Sequence, residues 1–397
     1  MFNLIKTISP AETVQSKPKA NGYLSRIDIR AYTMILALLG IWAIFTYTTQ
    51  GAFLTSRNLS NLFRQMSITS ILAIGMVFVI VAGHIDLSVG SLMGLTGGVA
   101  AILQVWYGWQ TIPAIFISFL IGLLAGLWQG WWVAYKKVPA FIVTLGGMMV
   151  FRGILIGISH GETVSPLMDS FKQIGQSYVP ESTGFLLAFL GIIYVIYVTV
   201  KQRYTRIKYG FTVPSLALEI MRTIFYAFLI GLFVYLMNDY QGIPVPVLIV
   251  VAMAFIFTGL ATKTRFGRYV YAIGGNSEAA RLSGINIRYN ILAVFVISGL
   301  MAALSGILLT ARLNGASVAA GQNAELDAIA ACVIGGTSLM GGTGSIGGAM
   351  IGALVMASLD NGLSMMNTPT FWQFIVKGLI LVLAVWIDIA TKTRAQN

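Results

Sequence analysis

The chain has 397 residues, of which 57% are hydrophobic and only 10% charged, with a formal net charge of +12. Soluble domains carry about 25% charged residues, and a mean hydropathy of +0.83 puts most side chains against lipid or other apolar helices, which excludes a water-exposed globular surface. The basic residues are too sparse and scattered to line a groove for phosphates, which excludes nucleic acid as a partner; they fit the cytoplasmic ends of membrane spans, where Lys and Arg accumulate.

Residues 1–30 form a polar, basic tail, with Lys6, Lys17, Lys19, Arg26 and Arg30 against Glu12 and Asp28. The apolar run from Ala31 to Thr49 exceeds the core of a cleavable signal, about 7–15 residues. It reads as a signal anchor that leaves the N-terminus in the cytoplasm. Further charge-free apolar runs lie near 67–83, 89–106, 112–134, 143–158, 184–200, 223–237, 247–260, 291–310, 345–360 and 371–389, with a shorter run over 328–339. Several fall short of the roughly 20 residues that cross hydrocarbon unaided, so broken or re-entrant helices inside a bundle are expected. The expected architecture is all-α: a polytopic membrane protein of 10 to 12 transmembrane helices. Its domains are a cytoplasmic tail (1–30), a transmembrane domain (31–390) and a short cytoplasmic tail (391–397).

The basic loops orient the bundle. Lys136 and Lys137 follow the fourth run; Lys201, Arg203, Arg206, Lys208 and Arg222 follow the sixth; Lys263, Arg265, Arg268, Arg281 and Arg288 follow the eighth. With the N-terminus inside, all of these loops fall inside as well, and the loops 159–183 and 238–246, poor in Lys and Arg, face out. Lys392 and Arg394 place the C-terminus inside, which needs an odd number of crossings after the external loop at 311–327. Trp106, Tyr107 and Trp109, and Trp128, Trp131 and Trp132, read as interfacial belts.

Cys332 is the only cysteine, which excludes an intrachain disulfide and a cysteine-based metal site; it reads as a small buried hydrophobe. His84 and His160, the two histidines, lie in different loops, and no metal site is expected. Glycine is abundant, and Gly335–Gly348 is dense in it. Two readings stand: tight helix packing through small residues, or an unwound element lining a pathway.

With 13 acidic residues, each can be placed. Asp86, Glu325, Asp327 and Asp360 fall near or within apolar stretches. A charge at membrane depth is costly and faces a cavity or a partner. Asp86 follows a break and precedes a helix start, so it either caps the next turn or lines a pathway; the same pair of readings applies to Glu325 and Asp327. Asp360 reads as a helix-end group before Asn361-Gly362. Arg152 and Lys377 are the cations nearest span interiors, and Lys377 either snorkels or pairs with an acid. These acids form no connected chain of the kind a proton relay needs. Asp86, Ser88, Glu325, Asp327 and Asn361 are the candidate pathway residues.

The cytoplasmic loop 261–290 carries the most information. Residues 277–283 have helical character, with Asn276 or Ser277 as cap, Glu278 in the first turn and Gly284 as the stop. Ala279 and Ala280 are small enough for a partner surface to approach closely. The string Glu278-Ala279-Ala280, with Gly284 four residues on, resembles the coupling-helix motif of bacterial ABC importer permeases. Ile85–Gly90 (IDLSVG), Val138–Gly146, Met148–Gly153, Glu325–Met340 (ELDAIAACVIGGTSLM), Asp360-Asn361-Gly362 and Thr368–Gln373 resemble the ribose/xylose branch of sugar ABC permeases. The resemblance runs from about residue 45 to the C-terminus and leans to the xylose side, with a long loop expected at 201–222.

The resemblance implies a subunit that moves a sugar, D-xylose first, by alternating access in the bacterial inner membrane. It also implies a homodimer, a periplasmic sugar-binding protein as donor, and a separate ATP-binding subunit that docks on Glu278, Ala279, Ala280 and Gly284. The chain has no Gly-Lys dipeptide and hence no P-loop, so ATP and Mg belong to the partner, and no cofactor or catalytic site is expected here. An ion-coupled secondary sugar transporter is the rival reading, and a passive channel or membrane scaffold the next.

Overall fold

The computed structural model describes residues 29–396. Of the expected N-terminal tail, 1–28 lie outside the described residues, as does residue 397. In chain order the helices are α1 (Ile29–Thr48), α2 (Ser56–Val81), α3 (Val89–Val105), α4 (Thr111–Ala134), α5 (Ala140–Ser159) and α6 (Asp169–Gln176), then α7 (Glu181–Lys208), α8 (Leu216–Asn238), α9 (Val245–Lys263), α10 (Arg265–Gly275), α11 (Ser277–Leu282), α12 (Ile287–Leu313), α13 (Ala324–Ile334), α14 (Ile346–Met365) and α15 (Thr370–Gln396). Two short strands, β1 (Tyr178–Val179) and β2 (Ile243–Pro244), pair antiparallel. The protein is thus an all-α polytopic membrane protein: among the described residues, eight helices are long and apolar enough to cross a membrane. Three shorter apolar helices, Met34–Thr48, Val89–Val105 and Thr370–Trp386, join them.

Local signals set many boundaries. Pro139, Pro180 and Pro244 precede α5, α7 and α9, where a missing N–H costs nothing. Ser215, Asn286 and Ser345 accept backbone N–H groups in the first turns of α8, α12 and α14. His160 and Asn314 close α5 and α12 in the left-handed conformation.

α2 and α12 form the centre. From Ile71 to Val81 every residue of α2 is buried, and α12 packs on α2, α3 and α4. Gly122, Gly126 and Gly130 recur every fourth residue along α4, so one bare stripe faces α12. A Cβ at Gly122 or Gly126 would press on the carbonyls of Gly299 or Phe295, and only glycine permits that approach.

Some boundaries depart from the sequence expectation. α2 begins at Ser56, eleven residues before the expected run, because Arg57, Asn58, Asn61, Arg64 and Gln65 mask its first turns. The long loop expected at 201–222 is mostly helix: α7 continues to Lys208 and α8 starts at Leu216. The tail expected from 391 continues α15 to Gln396. After α12, residues 314–323 are not helical and α13 covers only 11 residues, about 16 Å. That is roughly half the hydrocarbon thickness, the broken element expected in this region.

Candidate functional site

Three polar assemblies lie within the bundle. The first is at the break between α2 and α3. Asp86 is buried, and its Oδ1 accepts the Ser88 N–H at 2.9 Å and the Ser88 hydroxyl at 2.6 Å. Its Oδ2 accepts the Ser298 hydroxyl of α12 at 2.9 Å. Gln129 of α4 donates its Nε2 to Ser88 Oγ at 2.6 Å. Asp86 therefore takes one N–H and two hydroxyls instead of capping a full turn, and α3 starts without a side-chain cap. A buried carboxylate survives only when its donors are supplied. Here Ser88 and Ser298 supply them, and Gln129 holds Ser88 in turn, so the break is tied to α12 directly and to α4 through Ser88. The sequence reading named Asp86 and Ser88 but missed Gln129 and Ser298; the visible signal was a lone Gln in the apolar run of α4.

The second assembly surrounds Glu325. A cavity of about 710 Å³ opens between α5 and the segment before α13, with Ser91, Met149, Arg152, Gln322 and Glu325 in its wall. Arg152 donates Nη1 to the Ala320 carbonyl at 3.0 Å and to the Val318 carbonyl, which fixes the non-helical segment against α5. Gly90 abuts the Glu325 carboxylate and the Gly321 carbonyl, where a Cβ would overlap both. Glu325 does not cap α13: Asn323, in the left-handed conformation, holds the cap position without a side-chain bond.

The third is an ion triad. Lys377 of α15 pairs with Asp327 of α13 at 2.9 Å and with Asp360 of α14 at 2.7 Å. Asp360 is thus not a helix-end group, since α14 runs on to Met365, and Lys377 finds two partners instead of snorkelling. Asn361 and Asn58 exchange amide hydrogen bonds of 2.9 and 3.0 Å, which join α14 to α2. The expected pathway residues are therefore not one cluster. Asp86 with Ser88, Glu325, Asp327 and Asn361 sit in separate assemblies, and of these Glu325 lines the large cavity.

At the far end of α2, α10 and α11 lie across the chain. Asn276 Oδ1 accepts the Ala279 N–H at 2.9 Å, so Asn276 rather than Ser277 is the cap. Glu278 and Arg281 form a bidentate pair at 2.5 and 3.0 Å on the exposed side. That bond holds the Glu278 carboxyl below its usual range and raises the Arg281 guanidinium. Gly284 stops the helix at φ +79°. Ala279 is exposed, whereas Ala280 is buried against the chain itself. Leu282, which the sequence reading passed over, is 75% exposed.

α10 is clamped to the bundle. The Gly342 N–H donates to the Val81 carbonyl at 2.9 Å, and the Tyr271 hydroxyl to the Gly344 carbonyl at 2.7 Å. Gly274 sits against Val81 and Gly342 so closely that a Cβ would overlap both backbones. In the glycine-rich stretch Gly335, Gly348 and Gly352 pack α13 against α14, as the packing reading expects, while 336–345 is unwound and touches α10.

A family model described as branched-chain amino acid transport system / permease component matches residues 58–385. The chain is 54% identical to the xylose transport system permease protein XylH of Escherichia coli K12, over 98% of this chain and 99% of that protein. It is 51% identical to XylH of Haemophilus influenzae, over 94% and 99% respectively. It is 35% identical to the ribose import permease protein RbsC of Escherichia coli K12, over 92% and 96%. No solved structure matches. A full-length match of this kind, on a bundle of apolar helices without a P-loop, makes the chain a transport subunit, and it belongs to the branched-chain amino acid transport system permease component family.

Proposed function

We propose that this chain is the membrane-spanning permease of an ATP-driven importer of a monosaccharide, D-xylose first, and that α10–α11 receive the movement of a separate ATPase. The observation that carries the reading is the exposed, capped α11 joined through Gly274 and Tyr271 to the end of α2 and to the unwound 336–345 segment. A push on Glu278, Ala279 and Leu282 reaches Val81 through backbone contacts, without a long side chain to absorb it. From Val81 the displacement is carried to the Asp86 knot five residues on, and there to α4 and α12. Identity of 54% and 51% over almost the whole length to proteins named for xylose transport supports the choice of sugar.

In this reading two copies of the chain face one another, and the 710 Å³ cavity at Arg152 and Glu325 contributes to the path between them. The sugar enters from a periplasmic binding protein docked on 159–183 and 238–246, and access alternates as the ATPase closes. Asp86 and Ser88 hold the broken helix, Glu325 faces the path, and Asp327 and Asn361 brace the wall. Selectivity rests with the binding protein, so the path needs few strong sugar contacts. ATP and Mg stay on the P-loop partner, and both termini face the cytoplasm of a bacterial inner membrane.

The test is purification in mild detergent followed by mass spectrometry, then energised xylose uptake in proteoliposomes. A stoichiometric P-loop ATPase, with uptake that requires ATP, is expected. Uptake driven by an ion gradient with no ATPase would establish the secondary transporter instead.

A further inference from the structure

At the end of α2 opposite the α10 clamp lies a second polar cavity, of about 430 Å³. Its wall includes Arg57, Asn61 and Arg64 from the first turns of α2, Tyr178 of β1 and Tyr240 beyond α8. Arg64 stands over the Tyr178 ring at 5.5 Å, and the two tyrosines meet edge to face at 6.0 Å. Arg312, from the last turn of α12, donates to Asn61 Oδ1 at 3.1 Å and adds a third guanidinium behind the wall. Among the described residues neither Arg57, Arg64 nor Arg312 pairs with a carboxylate. Asp239 is the nearest acid in sequence to the rim, and it is held by the Ser56 hydroxyl at 2.7 Å. The Arg64 Nε–H is buried without an acceptor.

Three guanidiniums without a counter-charge, one with an orphaned donor, leave a cavity short of an anion. The composition is that of a binding hot spot, where Arg and Tyr dominate. Tyr178 and Tyr240 belong to the two loops that the functional reading above assigns to the donor protein. We infer that this cavity is a docking socket for an acidic side chain, an Asp or Glu, presented by the periplasmic sugar-binding protein. The carboxylate enters between Arg57 and Arg64, takes guanidinium N–H groups from both, and the tyrosines close around its loop. The inference rests on the importer reading and gives it the chemistry of its outer contact.

The test uses the permease with its ATPase in nanodiscs and the sugar-loaded xylose-binding protein of the same organism, with association followed by biolayer interferometry. Arg57→Glu and Arg64→Gln are each expected to weaken docking at least tenfold. Raising salt from about 50 to 300 mM is expected to weaken the native complex far more than Arg57→Glu, because steering between opposite charges is screened. Arg57 is exposed, so its variant tests the socket without touching the core; co-purification of the ATPase serves as the folding control for both. Docking within twofold of native in both variants, or a salt response equal to that of the native chain, overturns the socket and leaves the importer intact. No docking by the native complex overturns the importer reading and the socket with it.

Discussion

Replacing Lys377 by Met removes the cation that Asp327 and Asp360 share. The three side chains are mostly buried, at 19%, 17% and 32% exposure. At an effective dielectric of about 20, one ion pair at this spacing is worth roughly 5–6 kcal/mol before desolvation. Desolvation of the ions takes back a similar amount, so the intact triad contributes little on balance. The asymmetry appears when one member is removed. Two carboxylates then face each other without a cation, and a loss of about 3–5 kcal/mol is expected. At about 2 °C per kcal/mol, Lys377→Met should lower the apparent unfolding temperature by roughly 6–10 °C, read by fluorescence-detected size-exclusion chromatography after heating. The triple variant Asp327→Asn, Lys377→Met, Asp360→Asn removes all three charges and should recover most of the loss. Uptake by that triple variant at near-native rates would place the triad in the scaffold. A Lys377→Met protein that unfolds at the native temperature, or a triple variant worse than the single one, would refute this account.

Glu278→Lys is expected to abolish ATP-driven uptake while expression and membrane insertion stay normal; ordinary uptake would remove α11 from the coupling route. Gly274→Val places a branched side chain in the Val81 backbone, so it should lose stimulation of the ATPase by the loaded binding protein even where the assembled complex still purifies. Asp86→Ala leaves the Ser88 N–H and the hydroxyls of Ser88 and Ser298 without their acceptor, at about 1–3 kcal/mol for each buried group left unpaired. Its unfolding temperature should fall well below that of Asp86→Asn. The Glu278–Arg281 bond lowers the Glu278 pKa in the folded chain, so its contribution is complete above the ordinary carboxylate range and is lost as pH falls through the lower folded value. ATPase stimulation should therefore show no inflection from this group between pH 6 and 8; a step that vanished with Glu278→Gln would contradict it.

Spans were legible because lipid demands apolar runs. What hid α2's first turns was polarity: Arg57, Asn61 and Arg64 break the apolar run, and all three line a cavity. The capped helix at 277–282 was legible because caps and stops are local, as Asn276 and Gly284 show. Partnerships across the bundle were not. Lys377 lies 50 residues from Asp327 in the chain, and Ser298 lies 212 residues from Asp86. Hydropathy has no means of pairing them, since each looks alone like an isolated charge or hydroxyl in an apolar run. Ala280 illustrates the same limit: its small size suggested contact with a partner, yet the fold spends it on contact with the chain itself.

The β1–β2 ladder sets Tyr178 opposite Pro244 and Val179 opposite Ile243. The segment from 180 to 242 begins and ends at that narrow neck, and it meets the bundle where Phe233 packs on Phe63 and Tyr194 on Phe255. Between them α7 and α8 bury only a few residues, mainly near the neck, at Gly184, Ala188, Val234 and Met237. A hairpin attached in this way can be gained or lost as a unit, because the ends it leaves behind already touch and the closure they need is short.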